Sequence, residues 1–404
     1  MSTSFMYHAF GLIGYQFLKA IFENGKIYFH IRKHPGKLRC PDCNSTNIKL
    51  KGTITRNFKS IPMGKKQIIL VAIIQRVACH ECHCLKQIKL GFADPKKTYT
   101  RAFARYVLEL LKFATINDVA RHLQISWDTV KDLQKEYLVK HFSKPSLTGL
   151  KQIAIDEIAI AKNHHYLTIV LDLNTGAVVF IGDGKGADSL QPFWKQLRNA
   201  NADIEAVAID MSKAYIQAVR DNLPHAVMVF DHFHIIKLFH DKLTELRRQL
   251  YDETSNYRDS QALKGIRWIL LKNPEHLNDH NNEKQRLETA LRVNKPLATA
   301  YYLKEDLRQL WNQDTKADAQ QFFTHWIAKA HASGVTILMK FAKTLAAYRT
   351  GILAYYDYPI STGPLEGTNN KIKTMQRQSY GFRDSEFLKL KILALHKTRY
   401  ALIG

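Results

Sequence analysis

The run Gln152–Ala161, Q-I-A-I-D-E-I-A-I-A, constrains this chain more than any other stretch, because it sets an acidic pair inside an otherwise apolar segment. The run is short and rich in β-branched isoleucine, so it reads as a buried strand and not as a helix. A carboxylate buried in a strand is costly unless hydrogen bonds or a cation compensate it. Asp156 is therefore either satisfied by the fold or holds a metal. A second strand of the same kind, Ala206–Ile209, ends on Asp210, and Glu366 sits far downstream in P-L-E-G-T-N-N-K-I-K. Three such carboxylates are the minimum for two-metal phosphoryl chemistry.

At 404 residues the chain is too long for one compact core and is expected to divide into several domains. Its formal charge of +23 is concentrated at the front. Residues 1–150 hold 25 Lys and Arg against 9 Asp and Glu, and the remainder holds 34 against 27. A basic front end on a less charged body points to a polyanionic partner met through the N-terminal third. All five cysteines fall between Cys40 and Cys84, which argues against a secreted disulfide framework and for the cytoplasm. No apolar run reaches the roughly 18 residues of a membrane span, and Met1–Gly14 lacks the basic start of a signal peptide.

Two C-x-x-C knuckles, Cys40–Cys43 and Cys79–Cys82, lie 35 residues apart in a module expected over residues 1–98. Each can present two thiolates to one tetrahedral ion, the pattern of a structural zinc site. Thr53–Phe58 and Gln67–Val77 between them read as strands, so a zinc ribbon is expected. His80, His83 and Cys84 crowd the second knuckle, and they compete with Cys82 for the fourth ligand position.

Over residues 99–145 the period becomes helical, with Phe103, Val107, Leu110 and Leu111 on one stripe. The segments I-N-D-V-A-R-H-L and W-D-T-V-K-D-L-Q-K-E-Y-L flank a short Q-I-S turn. Val119, Ala120 and Leu123 are expected to face Val130, Leu133 and Tyr137, with Ser126 capping the second helix. This is the pattern of a helix-turn-helix whose recognition helix exposes Trp127, Thr129, Lys131 and Lys135; a plain helical hairpin shares it.

After the Pro- and Gly-containing linker at 143–149, strands are expected at Ile153–Ile160, Tyr166–Leu173 and Ala177–Ile181, joined closely enough for an antiparallel meander. A helix bearing Leu190, Phe193, Trp194 and Leu197, the strand ending at Asp210, a helix opened by Ser212 and the strand Ala226–Phe230 follow. The order β-β-β-α-β-α-β belongs to the RNase H-like fold, an α/β class with a mixed sheet, whose first and fourth strands are neighbours. Asp156 and Asp210 are then adjacent although 54 residues separate them. Residues 251–350 read as an all-helical insertion between the catalytic segment 150–250 and the C-terminal part 351–404, which returns Glu366. Asp357, Asp384 and Glu386 have turn or helix-start contexts instead.

Asp156–Trp194, Ala206–Lys237 and Leu365–Phe382 resemble the catalytic blocks of the ISL-three family of bacterial insertion-sequence transposases, and the zinc ribbon and helix-turn-helix match that family's order. The resemblance implies a DDE triad of Asp156, Asp210 and Glu366 holding two Mg²⁺ or Mn²⁺ ions, beside one structural Zn²⁺. It also implies double-stranded DNA as partner, and a homodimer or higher oligomer on paired transposon ends. The reaction it implies is phosphodiester hydrolysis followed by strand transfer. Asp231–His234, D-H-F-H, resembles an Asp-x-x-His pattern of several DDE superfamilies, which makes His234 a candidate beside the metals. Lys371, Lys373 and Arg377 are expected on the DNA backbone. Two residues depart from the family pattern: Thr362, where Asn is frequent, and Gln376, where Lys commonly precedes Arg377, a change expected to weaken a phosphate contact. A zinc and helix-turn-helix regulator, or a domesticated transposase without strand transfer, is the competing reading.

Overall fold

The computed structural model describes residues 3–161 and 165–396, which form two compact units, Met1–His141 and Phe142–Lys397.

In the first unit, helix α1 (Thr3–Phe10) precedes strands β1 (Tyr15–Glu23), β2 (Lys26–Lys33), β3 (Ile48–Met63), β4 (Lys66–Cys79) and β5 (Leu85–Gln87). The sheet runs β1-β2-β4-β3, with β5 paired to the end of β4. Asn24 and Gly25, both at positive φ, make the tight turn that joins β1 to β2. The expected pair of strands is thus the longer hairpin β3–β4, enlarged by a β1–β2 hairpin that the sequence reading leaves unassigned. Phe29, Ile31, Phe58, Leu70 and Val77 make its core.

Helices α2 (Arg101–Leu110), α3 (Ile116–Leu123) and α4 (Trp127–Phe142) follow. Thr115 and Asp118 form a reciprocal capping box at the start of α3, and Gln124 takes the left-handed conformation (φ 49°) that turns the chain. The Ser126 hydroxyl accepts the Thr129 backbone N–H at 3.2 Å and caps α4. Phe103, Val107, Val119, Leu123, Val130 and Leu133 pack together. Tyr137 does not join them: it is exposed and lies against the His141 ring, while Leu138, one residue on, is buried. The helical period carries position 138 inward and turns position 137 to solvent.

In the second unit, β6 (Gln152–Ala161), β7 (His165–Asp172), β8 (Val178–Asp183), β9 (Ala206–Ile209) and β10 (Val227–Phe230) form a sheet of order β10-β9-β6-β7-β8. The meander β6–β7–β8 is antiparallel and β9 and β10 are parallel to β6, which is the RNase H-like arrangement. The β7–β8 turn is closed by Asp172, which accepts the Asn174 N–H at 3.0 Å and the Thr175 hydroxyl at 2.5 Å. Helices α5 (Gln191–Ala200), α6 (Lys213–Asn222) and α7 (His232–Glu253) bring Phe193, Trp194, Val219 and Phe239 into one core with Ile153, Ile155, Val207 and Ile209.

The helical insertion comprises α8 (Tyr257–Leu263), α9 (Arg267–Leu271), α10 (Glu283–Val293), α11 (Lys295–Arg308), α12 (Lys316–Ala332) and α13 (Thr336–Ala347). It shares the core of the sheet: Phe239 of α7 meets Trp326 and Phe341 edge-on. Helix α14 (Arg349–Leu353) leads back to the sheet, and a Cβ on its Gly351 would lie 2.4 Å from the Phe230 ring. Helices α15 (Gly363–Gln378) and α16 (Ser385–Leu393) complete the unit. No helix among the described residues is long and apolar enough to cross a membrane.

Behind β6 lies a buried polar network. Thr168 bonds Ser189 (2.7 Å) and Tyr215 (3.1 Å), and Tyr215 donates to Glu157 at 2.9 Å. Glu157, beside Asp156 in sequence but on the opposite face of the strand, is therefore satisfied by the fold. Gly182 lets the Ser189 backbone approach this network, since an added Cβ would sit 2.2 Å from the Ser189 carbonyl oxygen. Gly182→Ala is expected to lower stability by roughly 1–3 kcal/mol, the usual range for overpacking, in a thermal or denaturant titration.

Candidate active site and zinc site

Strands β6 and β9 pair in parallel with Ala154 opposite Ala208. Two residues further on lie Asp156, within β6, and Asp210, immediately after β9, so the two acids stand level on the same face. Asp156 is half-buried, and burial pushes its carboxyl above the ordinary range; nearby Asp210 and Glu157 add to the rise against an opposing pull from His234. Asp210 accepts the Ser212 N–H at 2.9 Å, which turns the chain into α6.

Helix α15 packs on this face through Leu365, Ile372 and Met375. Its Asn369 donates Nδ2 to Asp156 Oδ2 at 3.0 Å, and its Gln376 donates to the Ile160 carbonyl at 3.1 Å. Gln376 thus ties the helix to β6. Glu366 is exposed one turn before Asn369. Helical spacing sets Glu366, Lys373 and Arg377 on one exposed stripe, with Lys371 exposed on a different side. Asp156, Asp210 and Glu366 do not close into a single-ion ligand cluster among the described residues. Two ions roughly 3.5–4 Å apart need a wider set than one cage. The donors on this face are hard oxygens, the chemistry that Mg²⁺ or Mn²⁺ takes.

His234 sits in the first turn of α7 with Nδ1 2.9 Å from Asp231 Oδ2. Asp231, at the N-cap of α7, is 2% exposed and also accepts the Thr362 hydroxyl at 2.6 Å. Burial alone would push Asp231 up, but the bonds from His234 and Thr362 outweigh it and hold it below the usual carboxylate range. His234 is raised, first by its bond to Asp231 and further by the fields of Asp231, Asp156 and Asp210. Asp231 and His234 are thus hydrogen-bonded through Nδ1, within the fields of Asp156 and Asp210. The sequence reading missed Thr362 and Asn369 as partners of these acids. Their signal was position alone: one immediately precedes α15, and the other lies three residues after Glu366. The alternative acids lie in other contacts, Asp357 in an ion pair with Lys316 and Asp384 capping α16.

In the first unit, the thiols of Cys40, Cys43, Cys79 and Cys82 lie mutually within 4.8 Å, a set suited to one tetrahedral zinc. Burial pushes the Cys40 thiol up, but backbone hydrogen bonds from Cys43 and Asp42 bring it down to about 6, favouring the thiolate a metal needs. Cys84 lies 3.3 Å from Cys40 and groups with Asp42 and Cys82 instead. His80 and His83 belong to neither group. On α4, Trp127 is exposed with Lys131 Nζ 5.5 Å from its ring centre, Thr129 bonds the capping Ser126 at 2.7 Å, and Lys135 is half-buried one turn beyond Lys131.

A cysteine cage, a helix-turn-helix and a sheet carrying level carboxylates are the parts of a DNA transposase. The DDE-domain model of the ISL3 family, described as Transposase, matches residues 153–392. The helix-turn-helix domain of transposase family ISL3 matches 88–138, and the zinc-finger of transposase IS204/IS1001/IS1096/IS1165 matches 37–82. The transposase for insertion sequence element IS1001 of Bordetella parapertussis is 32% identical over 360 residues, covering 88% of each chain. The transposase for insertion sequence element IS1557 of Mycobacterium tuberculosis is 26% identical over 95% of this chain and 91% of its own. The Drosophila P element transposase strand transfer complex aligns over 74% of this chain and 91% of that one, at 11% identity and a TM-score of 0.39. The chain belongs to the ISL3 family of transposases: a DNA-processing enzyme with a helix-turn-helix for binding DNA.

Replacing Cys82 by Ser is expected to abolish the retention of one zinc per chain, whereas Cys84→Ser retains it. Metal analysis of the purified full chain after dialysis distinguishes the two, and zinc lost from Cys84→Ser alone would move the fourth ligand.

Proposed function

We propose that the chain is the transposase of its own insertion sequence, acting in the cytoplasm on the inverted-repeat ends of that element. The level placement of Asp156 and Asp210 on adjacent parallel strands carries this reading, because a shared face of hard oxygens is what phosphodiester chemistry on DNA requires. Asp156, Asp210 and Glu366 would hold the two Mg²⁺ or Mn²⁺ ions. Bound there, the ions supply Lewis acidity to the attacking and leaving oxygens of an in-line displacement.

The chain's own groups do the rest. Asp231 fixes the His234 ring through Nδ1, so that Nε2 can exchange a proton or hydrogen-bond with a group at the carboxylates. Lys373 and Arg377, on the stripe of Glu366, neutralise phosphates near the scissile bond, with Lys371 contacting the duplex from the helix's other side. Water attacks the phosphodiester phosphorus at the end of the element and displaces the 3′ oxygen, leaving a 3′ hydroxyl and a 5′ phosphate; that hydroxyl then attacks a target phosphorus and displaces the target strand's own 3′ oxygen. Residues 1–98 and 99–145 recognise the ends: Thr129 and Trp127 meet base edges, and Lys131 and Lys135 meet phosphates or bases. The catalytic fold occupies 150–250 and 351–404, with 251–350 inserted. Two or more copies act together on paired ends.

Glu366→Gln is expected to bind a duplex carrying the element's terminal sequence as the unaltered protein does, yet to lose Mg²⁺-dependent cleavage of it. Asp357→Asn and Glu386→Gln should still cut. Cleavage surviving in Glu366→Gln and lost in either of the others would assign the third carboxylate elsewhere. His234→Ala is expected to slow cleavage while leaving end binding unchanged; unaltered cleavage with a lowered melting temperature would make the histidine a packing residue.

A further inference from the structure

Asn369 is an unusual residue for a helix face that packs on a sheet. It is 6% exposed, and while Nδ2 donates to Asp156, its Oδ1 is buried and has no hydrogen-bond partner among the described residues. The orientation is set by chemistry, since only the NH₂ side of an amide can face a carboxylate oxygen. The bare oxygen is on the same planar amide as that nitrogen, so the two cannot exchange places while the bond is kept.

Docking of the helix does not explain the amide. Leu365, Ile372 and Met375 supply the apolar contact, and Gln376 already ties α15 to the Ile160 carbonyl of β6. A leucine of similar volume at 369 would pack there without stranding an oxygen, and an unsatisfied buried acceptor is a standing cost to stability. The feature is accounted for if something electropositive meets that oxygen when the site is complete. Neutral amide oxygens are ordinary ligands of hard divalent cations and acceptors for the waters those cations carry. No Lys, Arg or His nitrogen bonds Asn369 Oδ1.

We propose that Asn369 is a positioning residue of the cation site: its nitrogen holds Asp156 in one rotamer, and its oxygen is an additional contact for a hydrated divalent cation carried by Asp156. The inference rests on the reading of Asp156 and Asp210 as cation-holding groups. It adds a residue outside the three carboxylates, and it requires that cation affinity depend on position 369 even without DNA.

The test uses the full-length, zinc-loaded protein with Mn²⁺ as probe, following Mn²⁺ affinity by electron paramagnetic resonance and the melting temperature with and without Mn²⁺. Asn369→Leu is expected to bind Mn²⁺ about tenfold or more weakly, in the range of outer-shell substitutions, with a metal-free melting temperature at or above that of the unaltered protein. Asn369→Asp is expected to melt lower without metal, because two carboxylates then face each other, and to gain more from Mn²⁺ than the unaltered protein does. Should Asn369→Leu fail to fold, Asn369→Asp decides: a Mn²⁺ gain equal to or smaller than that of the unaltered chain overturns the proposal. Unchanged Mn²⁺ affinity in a folded Asn369→Leu overturns it as well, leaving Asn369 a tie between helix and strand. Asp156→Asn separates the two levels. Lost Mn²⁺ binding there, with binding intact in Asn369→Leu, refutes only the role of Asn369, whereas binding that survives Asp156→Asn refutes the cation site itself.

Discussion

The second unit depends on the parallel pairing of β6 with β9. Gln152, Ile153 and Ala154 pair with Ala206, Val207 and Ala208, all three of the latter fully buried, and the register admits no slip. A shift of one residue would drive Ile153, Ile155, Val207 and Ile209 out of the core and turn Asp156 into it. The hydrophobic alternation that folds the sheet therefore also fixes the height of the two acids. Burial raises Asp156 above its ordinary range, and the nearby charge of Asp210 adds to the rise.

Asp231 plays the matching role at the other edge of the site. One buried carboxylate caps α7, orients His234 and receives the hydroxyl of Thr362, the residue that leads into α15. Residues 131 positions apart are thereby joined, and the helix carrying Glu366 and Asn369 is anchored at its start. The anchoring bonds are charge-assisted and shielded from water, where such bonds are strongest. Thr362 serves Asp231 through its hydroxyl, a single short donor on a residue that is itself buried.

Much of this was legible in the residues. The period-two apolar strands, the capping residue Ser126 and the two cysteine knuckles report local physics, and the strands of the second sheet appear within a few residues of their expected bounds. The β1–β2 hairpin was not legible, because its strands are half-exposed and carry lysines among their apolar residues. Tyr137 misled because helical spacing allows either 137 or 138 to face inward, and it is Leu138 that is buried. Thr362 and Asn369 had only their positions near Glu366 to mark them: their partners lie 131 and 213 positions away, and a polar residue gives no local sign of what it will touch.

The central claim is that β6, β9 and α15 together surround divalent cations. Replacing Mg²⁺ by Fe²⁺ and adding ascorbate and peroxide generates hydroxyl radicals at the bound ion, which cut the nearby backbone. The account predicts cuts close to Asp156, Asp210 and Glu366, suppressed together by excess Mg²⁺. Cuts confined to the Cys40–Cys84 region, or clustered at Asp357 with none near β6 and β9, would contradict it.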